Sequence, residues 1–114
     1  MLRAVRFCLM IEGQQGVTWD HWLALAESAE RLRFEALFRS DHYFSSEGVG
    51  GRGSTDAWAL LAALAAKTER IRLGTLVSPV TFRLPSVLAK AATTVDEISG
   101  GRVEIGMGAG WWTE

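Results

Sequence analysis

Short apolar runs alternate along the chain with longer segments whose apolar positions recur at helical spacing. The runs predict four strands, over residues 5–11, 36–40, 71–77 and 103–107. The intervening segments predict three helices, one capped by Thr18, one over residues 56–67 and one from Pro85 to about Ile98. Strands that alternate with helices pair in parallel through right-handed crossovers, so the pattern predicts an α/β fold.

The boundaries of these elements have their own signals. Ser54 or Thr55 is predicted to cap the second helix, because a side-chain oxygen can accept an otherwise unpaired N–H there. Pro79 is predicted to stop the third strand, since proline has no amide proton. Gly100 fits the C-cap of the third helix.

The four strand–helix units have similar lengths, and the last one has no helix after its strand within residues 1–114. A single domain accounts for the whole of this sequence. Two architectures fit such a series: about half of a (β/α)8 barrel, with four strands and three helices, or a small doubly wound sheet. The hydrophobic pattern is the same for both.

The composition of the chain limits which kinds of binding partner are expected. The chain is 48% hydrophobic and 22% charged, with a formal net charge of -1, which is ordinary for one globular domain. No global positive field favours nucleic acid or an anionic membrane, so neither is expected as a partner. No stretch approaches the roughly 20 apolar residues of a membrane span, and no leader is recognised at the amino terminus. We expect a cytoplasmic protein.

The sulfur and imidazole side chains are few. Cys8 is the only cysteine and lies in an apolar run, so it is predicted to be a small core residue without a disulfide. His21 and His42 are far apart in sequence, and His21 is expected on the surface of the first helix. These residues do not make up a ligand set for zinc or iron, and no metal is expected.

The most informative stretch runs from Phe34 to Phe44, where an apolar strand ends in Ser40, Asp41 and His42. An acid and an imidazole at the carboxyl end of a parallel strand are typical of an active site in this fold class. Adjacent residues at a strand end point to opposite sides, so Asp41 and His42 are not expected to share one role. The long loop that follows carries four glycines, at positions 48, 50, 51 and 53, and is predicted to be a flexible lid.

Three glycines lie at the end of the fourth strand and just after it, at Gly106, Gly108 and Gly110. Glycine lets the backbone approach a ligand closely. A GxGxG run after a strand also occurs in dinucleotide-binding turns, and this alternative stays open because the helix and acidic residue of that motif would lie beyond Glu114. Trp58, Trp111 and Trp112 are either pocket walls or core residues.

Several of these segments together resemble one family. They are Ile11-Glu12-Gly13-Gln14-Gln15-Gly16, Ser40-Asp41-His42, Gly74 through Arg83, and Ser99-Gly100-Gly101-Arg102 before the glycine run. In this order they resemble the amino-terminal half of the bacterial luciferase-like monooxygenase superfamily, in its branch of deazaflavin (coenzyme F-420) dependent oxidoreductases. The resemblance covers nearly all of the chain and implies a TIM (β/α)8 barrel with its cofactor at the carboxyl ends of the strands.

The resemblance also implies roles for particular residues. His42 matches the family's histidine near the reacting face of the cofactor ring, where a neutral imidazole can take and return a substrate proton. Asp41 matches a residue that contacts the polar edge of the deazaflavin, although a carboxylate that merely caps the loop is the alternative. The other residues implied to contact the cofactor are Leu76, Val77, Ser78, Gly106, Gly108 and Gly110, with a cis peptide bond between Leu76 and Val77.

These implications lead to one expected activity and two alternatives. The expected activity is hydride transfer between coenzyme F-420 and a small organic substrate. The alternatives are an FMN-dependent monooxygenase of the same superfamily and a catalytically inactive half-barrel fragment or assembly module. A complete barrel needs about 250 residues, so we expect this chain to form a homo-oligomer or to pair with the missing half through its open sheet edges.

Overall fold

The computed structural model describes residues 4–47 and 51–111 of the chain. Four strands alternate with three helices within these ranges. In chain order they are β1 (Cys8–Ile11), α1 (Trp19–Arg31), β2 (Ala36–Arg39), α2 (Ala57–Lys67), β3 (Arg72–Pro79), α3 (Pro85–Ser99) and β4 (Val103–Gly108). The alternation read from the hydrophobic pattern is therefore confirmed.

The order of the strands distinguishes the two predicted architectures. All neighbouring strands are parallel, and their order in the sheet is β1-β2-β3-β4, the same as in the chain. A doubly wound sheet reverses direction at a switch point, whereas a (β/α)8 barrel adds each strand beside the previous one. The chain therefore forms consecutive units of a TIM-barrel type fold.

The hydrophobic core lies between the sheet and the helices. Its most deeply buried members include Trp22 from α1, Leu61 and Leu64 from α2, and Leu37 and Leu73 from the strands, none of them more than 1% exposed. Burying one such side chain stabilises the fold by roughly 1.5–3 kcal/mol. This layer positions the strands, and their carboxyl ends all lie at one edge of the sheet.

Among the residues that the structure describes, no helix layer lies over the opposite face of the sheet. In β1, Leu9 and Ile11 pack against the core, while Cys8 and Met10 alternate onto the uncovered face and are exposed. The prediction that Cys8 is a core residue is therefore wrong, because an apolar run does not reveal that only one of its two faces is covered.

The ends of the helices follow local capping chemistry. The Thr18 side chain accepts from the His21 N–H, and His21 in turn accepts from the Thr18 N–H, so the predicted cap is confirmed and His21 is exposed as expected. Pro85 lies in the first turn of α3, and Gly100 ends that helix with a positive φ of 69°. Glycine adopts this left-handed conformation without a steric penalty.

Two predicted boundaries are wrong. The cap of α2 is Asp56, whose carboxylate accepts from the Ala59 N–H at 2.8 Å, and not Ser54 or Thr55. Strand β3 continues through Ser78 and Pro79, which pair with β4. The last paired residue of β2 lies opposite Thr75, so Pro79 has a strand neighbour on one side only and its missing N–H is tolerated.

Strands β3 and β4 approach each other closely at Gly74. A Cβ atom at this position would overlap the carbonyl oxygen of Glu104 on β4. Since backbone atoms cannot move aside by changing rotamer, only glycine fits between the strands here.

Replacing Gly74 with alanine is expected to destabilise the chain by about 1–3 kcal/mol, because it overpacks the interior of the sheet. Gly53→Ala is the matched control, since a Cβ there would have no atom within 4 Å. Urea titrations would measure both free energies of unfolding. Equal stability of the two variants would contradict the close approach of β3 and β4.

Candidate functional site

A pocket of about 260 Å³ opens where the carboxyl ends of the strands meet. Parallel strands bring these ends to one edge of the sheet, which is where barrel enzymes place their sites. Residues that follow all four strands contribute to the pocket. Its lining consists of Glu12, Ser40, His42, Leu76, Val77, Pro79, Phe82, Gly108, Ala109, Gly110 and Trp111.

His42 lines this pocket and is half-buried. Its backbone carbonyl accepts a hydrogen bond of 2.7 Å from the Ser54 hydroxyl. Its ring meets the edge of Phe82 with centroids 6.2 Å apart. The residue is therefore held both through its backbone and through its ring, and its imidazole has access to a molecule in the pocket.

Asp41 lies behind the pocket and not in its lining. Its carboxylate is 1% exposed and forms a bidentate ion pair with Arg83, at 2.6 and 3.0 Å. It also accepts from the Ser78 hydroxyl at 2.7 Å. The prediction that Asp41 and His42 face different sides is confirmed, and the Asp41 carboxylate is already engaged by protein groups.

Arg83 connects Asp41 to the beginning of α2. Its guanidinium donates to Oδ1 of Asp56 at 2.9 Å, while the other oxygen of that carboxylate caps the helix. Burial lowers the pKa of Arg83, but the hydrogen bond and the charge of Asp41 outweigh it and raise that pKa overall. Burial raises the pKa of Asp56, but the Ala59 N–H and Arg83 outweigh it, so the pKa lies below its ordinary value.

A second arginine, Arg39, holds the two ends of the segment that connects β2 to α2. Arg39 is fully buried at the end of β2, and it donates to the carbonyl of Ser40 and to both the hydroxyl and the carbonyl of Thr55. Its guanidinium lies 5.1 Å from the centre of the Trp22 ring. Burial lowers the pKa of Arg39 to about 10, so the side chain stays charged near neutral pH and holds Thr55 in place.

The peptide bond between Leu76 and Val77 is cis, as the resemblance implied. Both residues line the pocket, and His42 belongs to the same lining. Ser78, the next residue, turns to the other side, where it accepts from Nε1 of Trp58 at 3.1 Å. Trp58 is therefore a core residue, whereas Trp111 lines the pocket and Trp112 lies outside the described residues.

The glycines at the carboxyl end of β4 and just after it form the opposite side of the pocket. Gly108 and Gly110 line it, while Gly106 lies next to Val77 and outside the lining. A side chain at Gly108 would collide with Val77, and one at Gly110 would crowd Thr81. Gly110 also has a positive φ of 75°. The bare backbone at Gly108 and Gly110 is thus the surface that a ligand would meet.

Sequence reasoning assigned no chemical role to Glu12, the one carboxylate among the described residues that line the pocket. The Ser40 hydroxyl accepts from the Gly13 N–H and donates to Oε1 of Gln14, whose Nε2 then donates to Oε2 of Glu12 at 2.5 Å. Each donor directs the next, so Glu12 ends the series as an acceptor. Its position just after β1 was the available signal, since strand ends meet at this edge.

Hydrogen bonds to residues 15 and 16 hold both flanks of the predicted lid. The Gly16 N–H donates to the Gly53 carbonyl at 3.0 Å, and Gln15 donates to the Ser46 hydroxyl at 3.0 Å. Ser45 is fully buried. Gly48 and Gly50 lie outside the described residues, so a flexible lid remains a prediction for that segment.

Metal-binding clusters and membrane-spanning helices are both absent from the described ranges. No group of three or more histidine, cysteine, aspartate or glutamate side chains there is arranged to hold a metal ion. Within residues 4–47 and 51–111, no helix combines the length and the apolar character needed to cross a membrane.

The fold and the pocket together define a class: a TIM-barrel type protein with a pocket at the carboxyl ends of its strands. The sequence model of the luciferase-like monooxygenase family matches residues 5–114. The chain belongs to this family.

Individual relatives agree with this assignment. The chain is 38% identical over 88 residues to an F-420-dependent glucose-6-phosphate dehydrogenase from Amycolatopsis mediterranei, covering 75% of this chain and 26% of the relative. It is 36% identical over 88 residues to 4-hydroxyprotoasukamycin monooxygenase from Streptomyces nodosus subsp. asukaensis, covering 77% of this chain and 23% of the relative. It thus spans about a quarter of the length of these relatives.

A solved structure shows the same fold. The coenzyme F-420 dependent tetrahydromethanopterin reductase from Methanopyrus kandleri superposes with a TM-score of 0.76 and 28% sequence identity. The superposition covers 92% of this chain and 27% of that protein. The four parallel strands and three helices therefore correspond to part of a luciferase-like TIM barrel.

The lowered pKa of Asp56 leads to a pH prediction. An acid whose folded-state pKa is depressed contributes stability above its unfolded value, 3.8, and that stability is lost as the pH falls through the folded value. Asp56→Asn is therefore expected to be less stable than the wild type at neutral pH, by less than about 1 kcal/mol because Asp56 is half exposed. The difference should vanish in acid, since asparagine still caps a helix.

Urea titrations of both proteins across the acid range would measure this convergence. Glu97→Gln, at an exposed position of α3, is the control and should leave the pH dependence unchanged. A difference between Asp56→Asn and wild type that persists in acid would show that the ion pair with Arg83 is not its source.

Proposed function

We propose that this chain forms the cofactor-facing part of an oxidoreductase that transfers a hydride between deazaflavin coenzyme F-420 and a small organic substrate. The observation that supports this most directly is the position of His42, which shares one pocket with Leu76, Val77 and the backbone at Gly108 and Gly110. The F-420-dependent relatives favour the same cofactor.

The residues present fit a planar tricyclic ring. Leu76 and Val77 offer an apolar surface against which a ring can pack, and Leu76 is half exposed and available for contact. Gly108 and Gly110 offer backbone groups without side chains in the way. The pocket, at about 260 Å³, is smaller than the 300–1,000 Å³ usual for ligand sites, which suits one wall of a larger site.

The proposed chemistry separates the two hydrogens of an alcohol. When bound, the deazaflavin would accept the hydride from the carbinol carbon. The neutral imidazole of His42 would accept the hydroxyl proton as the carbon–oxygen double bond forms, and would return it in the reverse direction. Glu12, on the same pocket, is placed to accept a hydrogen bond from a second polar group of the substrate.

An FMN-dependent monooxygenase is the second candidate function. The 36% identity to 4-hydroxyprotoasukamycin monooxygenase favours it, since that relative is named for oxygen insertion. A catalytically inactive half-barrel fragment is the third possibility. All three differ in what the purified protein binds.

Titration of the purified protein with coenzyme F-420 and with FMN, followed by fluorescence, tests these candidates. Saturable F-420 binding is expected, and His42→Asn should keep that binding while reducing hydride transfer about 10²- to 10⁴-fold, the usual contribution of an acid–base group. His21→Asn is the control, because His21 lies on the exposed start of α1. Selective FMN binding would favour the monooxygenase, and binding of neither would favour the inactive fragment.

We also propose that the open sheet edges are covered in the assembled protein, either by further barrel units or by a second copy of the chain. Phe7 beside β1 and Met107 on β4 are 66% and 56% exposed, and Ile105 is also exposed. Unpaired edges and exposed apolar side chains favour association.

Light scattering on the 114-residue chain is expected to show a dimer or larger species. Association should weaken in Met107→Lys, because a charge on the edge strand opposes pairing. Val87→Lys, on the exposed surface of α3, is the control. A strictly monomeric chain that unfolds cooperatively would contradict this proposal.

A further inference from the structure

Arg83 occupies a junction between three parts of the chain. Its side chain is 10% exposed and pairs with Asp41 after β2 and with Asp56 at the start of α2. Its guanidinium also lies 5.2 Å from the centre of the Tyr43 ring. Arg83 itself lies in the segment that follows β3, so it joins that segment to the end of β2 and to the start of α2.

We propose that Arg83 is a positioning residue that sets the orientation of the His42 imidazole in the pocket. The inference rests on the proposed function of His42, and nothing in the pocket requires Arg83 to touch substrate or cofactor, since it is not part of the lining.

The first connection runs through the backbone. Asp41 and His42 are consecutive, and the Asp41 side chain is held by Arg83 at 2.6 and 3.0 Å and by Ser78 at 2.7 Å. On the other side of the Asp41–His42 peptide bond, the backbone carbonyl of His42 accepts a hydrogen bond of 2.7 Å from the Ser54 hydroxyl. Fixing Asp41 therefore fixes the Cα position of His42 and the direction in which its side chain leaves the backbone.

The second connection runs through aromatic rings. Phe82 directly precedes Arg83, and its ring stacks on Tyr43 with centroids 4.9 Å apart and an interplanar angle of 20°. The same Phe82 ring meets His42 at 6.2 Å and 73°, an edge-to-face contact. Holding Arg83 thus holds the ring that limits the rotation of the imidazole.

The shape of the guanidinium matters as well as its charge. Arg83 donates two hydrogen bonds to Asp41 and a third to Asp56 in one planar arrangement. The ammonium group of lysine is a point charge and cannot reproduce this fork. Arg83→Lys therefore keeps the positive charge in the cluster while releasing the geometry.

The test compares Arg83→Lys with Phe82→Leu, which removes the ring contact but leaves the ion pairs intact. The first measurement is the NMR spectrum of the His42 imidazole, assigned by comparison with His42→Asn. Arg83→Lys is expected to shift these signals, because the ring current of Phe82 then acts on a reoriented or newly mobile imidazole. Phe82→Leu gives the reference for complete loss of that ring current. Arg52→Lys, in an exposed ion pair with Glu47, should leave them unchanged.

The second measurement is hydride transfer with coenzyme F-420. Arg83→Lys is expected to lower kcat by about tenfold to a hundredfold, the effect of a misplaced catalytic group, while the dissociation constant of F-420 changes less than about threefold. In a His42→Asn background the same substitution should have little further effect, since residues that act through one group are not additive.

The outcomes separate the two proposals. Unchanged His42 signals in a folded Arg83→Lys variant would overturn the positioning role and leave Arg83 as a purely structural residue. Shifted signals in a protein that does not use F-420 would support positioning while the proposed function fails. If Arg83→Lys does not fold, Asp41→Asn, which weakens the same ion pair from its other side, decides the question by the same His42 signals.

Discussion

The buried ion pair between Asp41 and Arg83 is the constraint on which the site depends. A carboxylate removed from water is stable only when it is paired and hydrogen-bonded, and here Arg83 and Ser78 supply those partners. The chain can meet this requirement only when the ends of β2 and β3 and the start of α2 come together. His42, one residue after Asp41, then has little freedom in where it lies.

Side chains at the strand ends alternate between the two faces of the sheet, and those on one face support those on the other. Asp41 and Ser78 point toward the helices and build the support, whereas His42 and Val77, their neighbours in sequence, line the pocket. Functional groups stay accessible because the polar partners that hold them are buried elsewhere. The same division explains why Asp41, an obvious candidate from sequence, has its carboxylate fully engaged by protein groups.

The open face of the sheet relates the fold to the proposed activity. The core lies on the helix side of the sheet. At the two edges of the sheet, β1 and β4 have no outer strand neighbours within the described residues. A luciferase-like barrel would continue from both edges, and its remaining units would supply the rest of the cofactor and substrate contacts. In the proposed activity, the pocket around His42 is one wall of the site, and this chain would contribute the acid–base group and the apolar surface behind the cofactor ring.

Local patterns in the sequence determined the order of strands and helices, the Thr18 and Gly100 caps and the placement of His42 after β2, because these depend on neighbours a few residues away. Only the tertiary structure decided that Cys8 is exposed, that Glu12 shares the pocket, and that Arg83 binds Asp41 across 42 positions. Such features depend on strand register and on which sheet face is covered. No local periodicity encodes either of them.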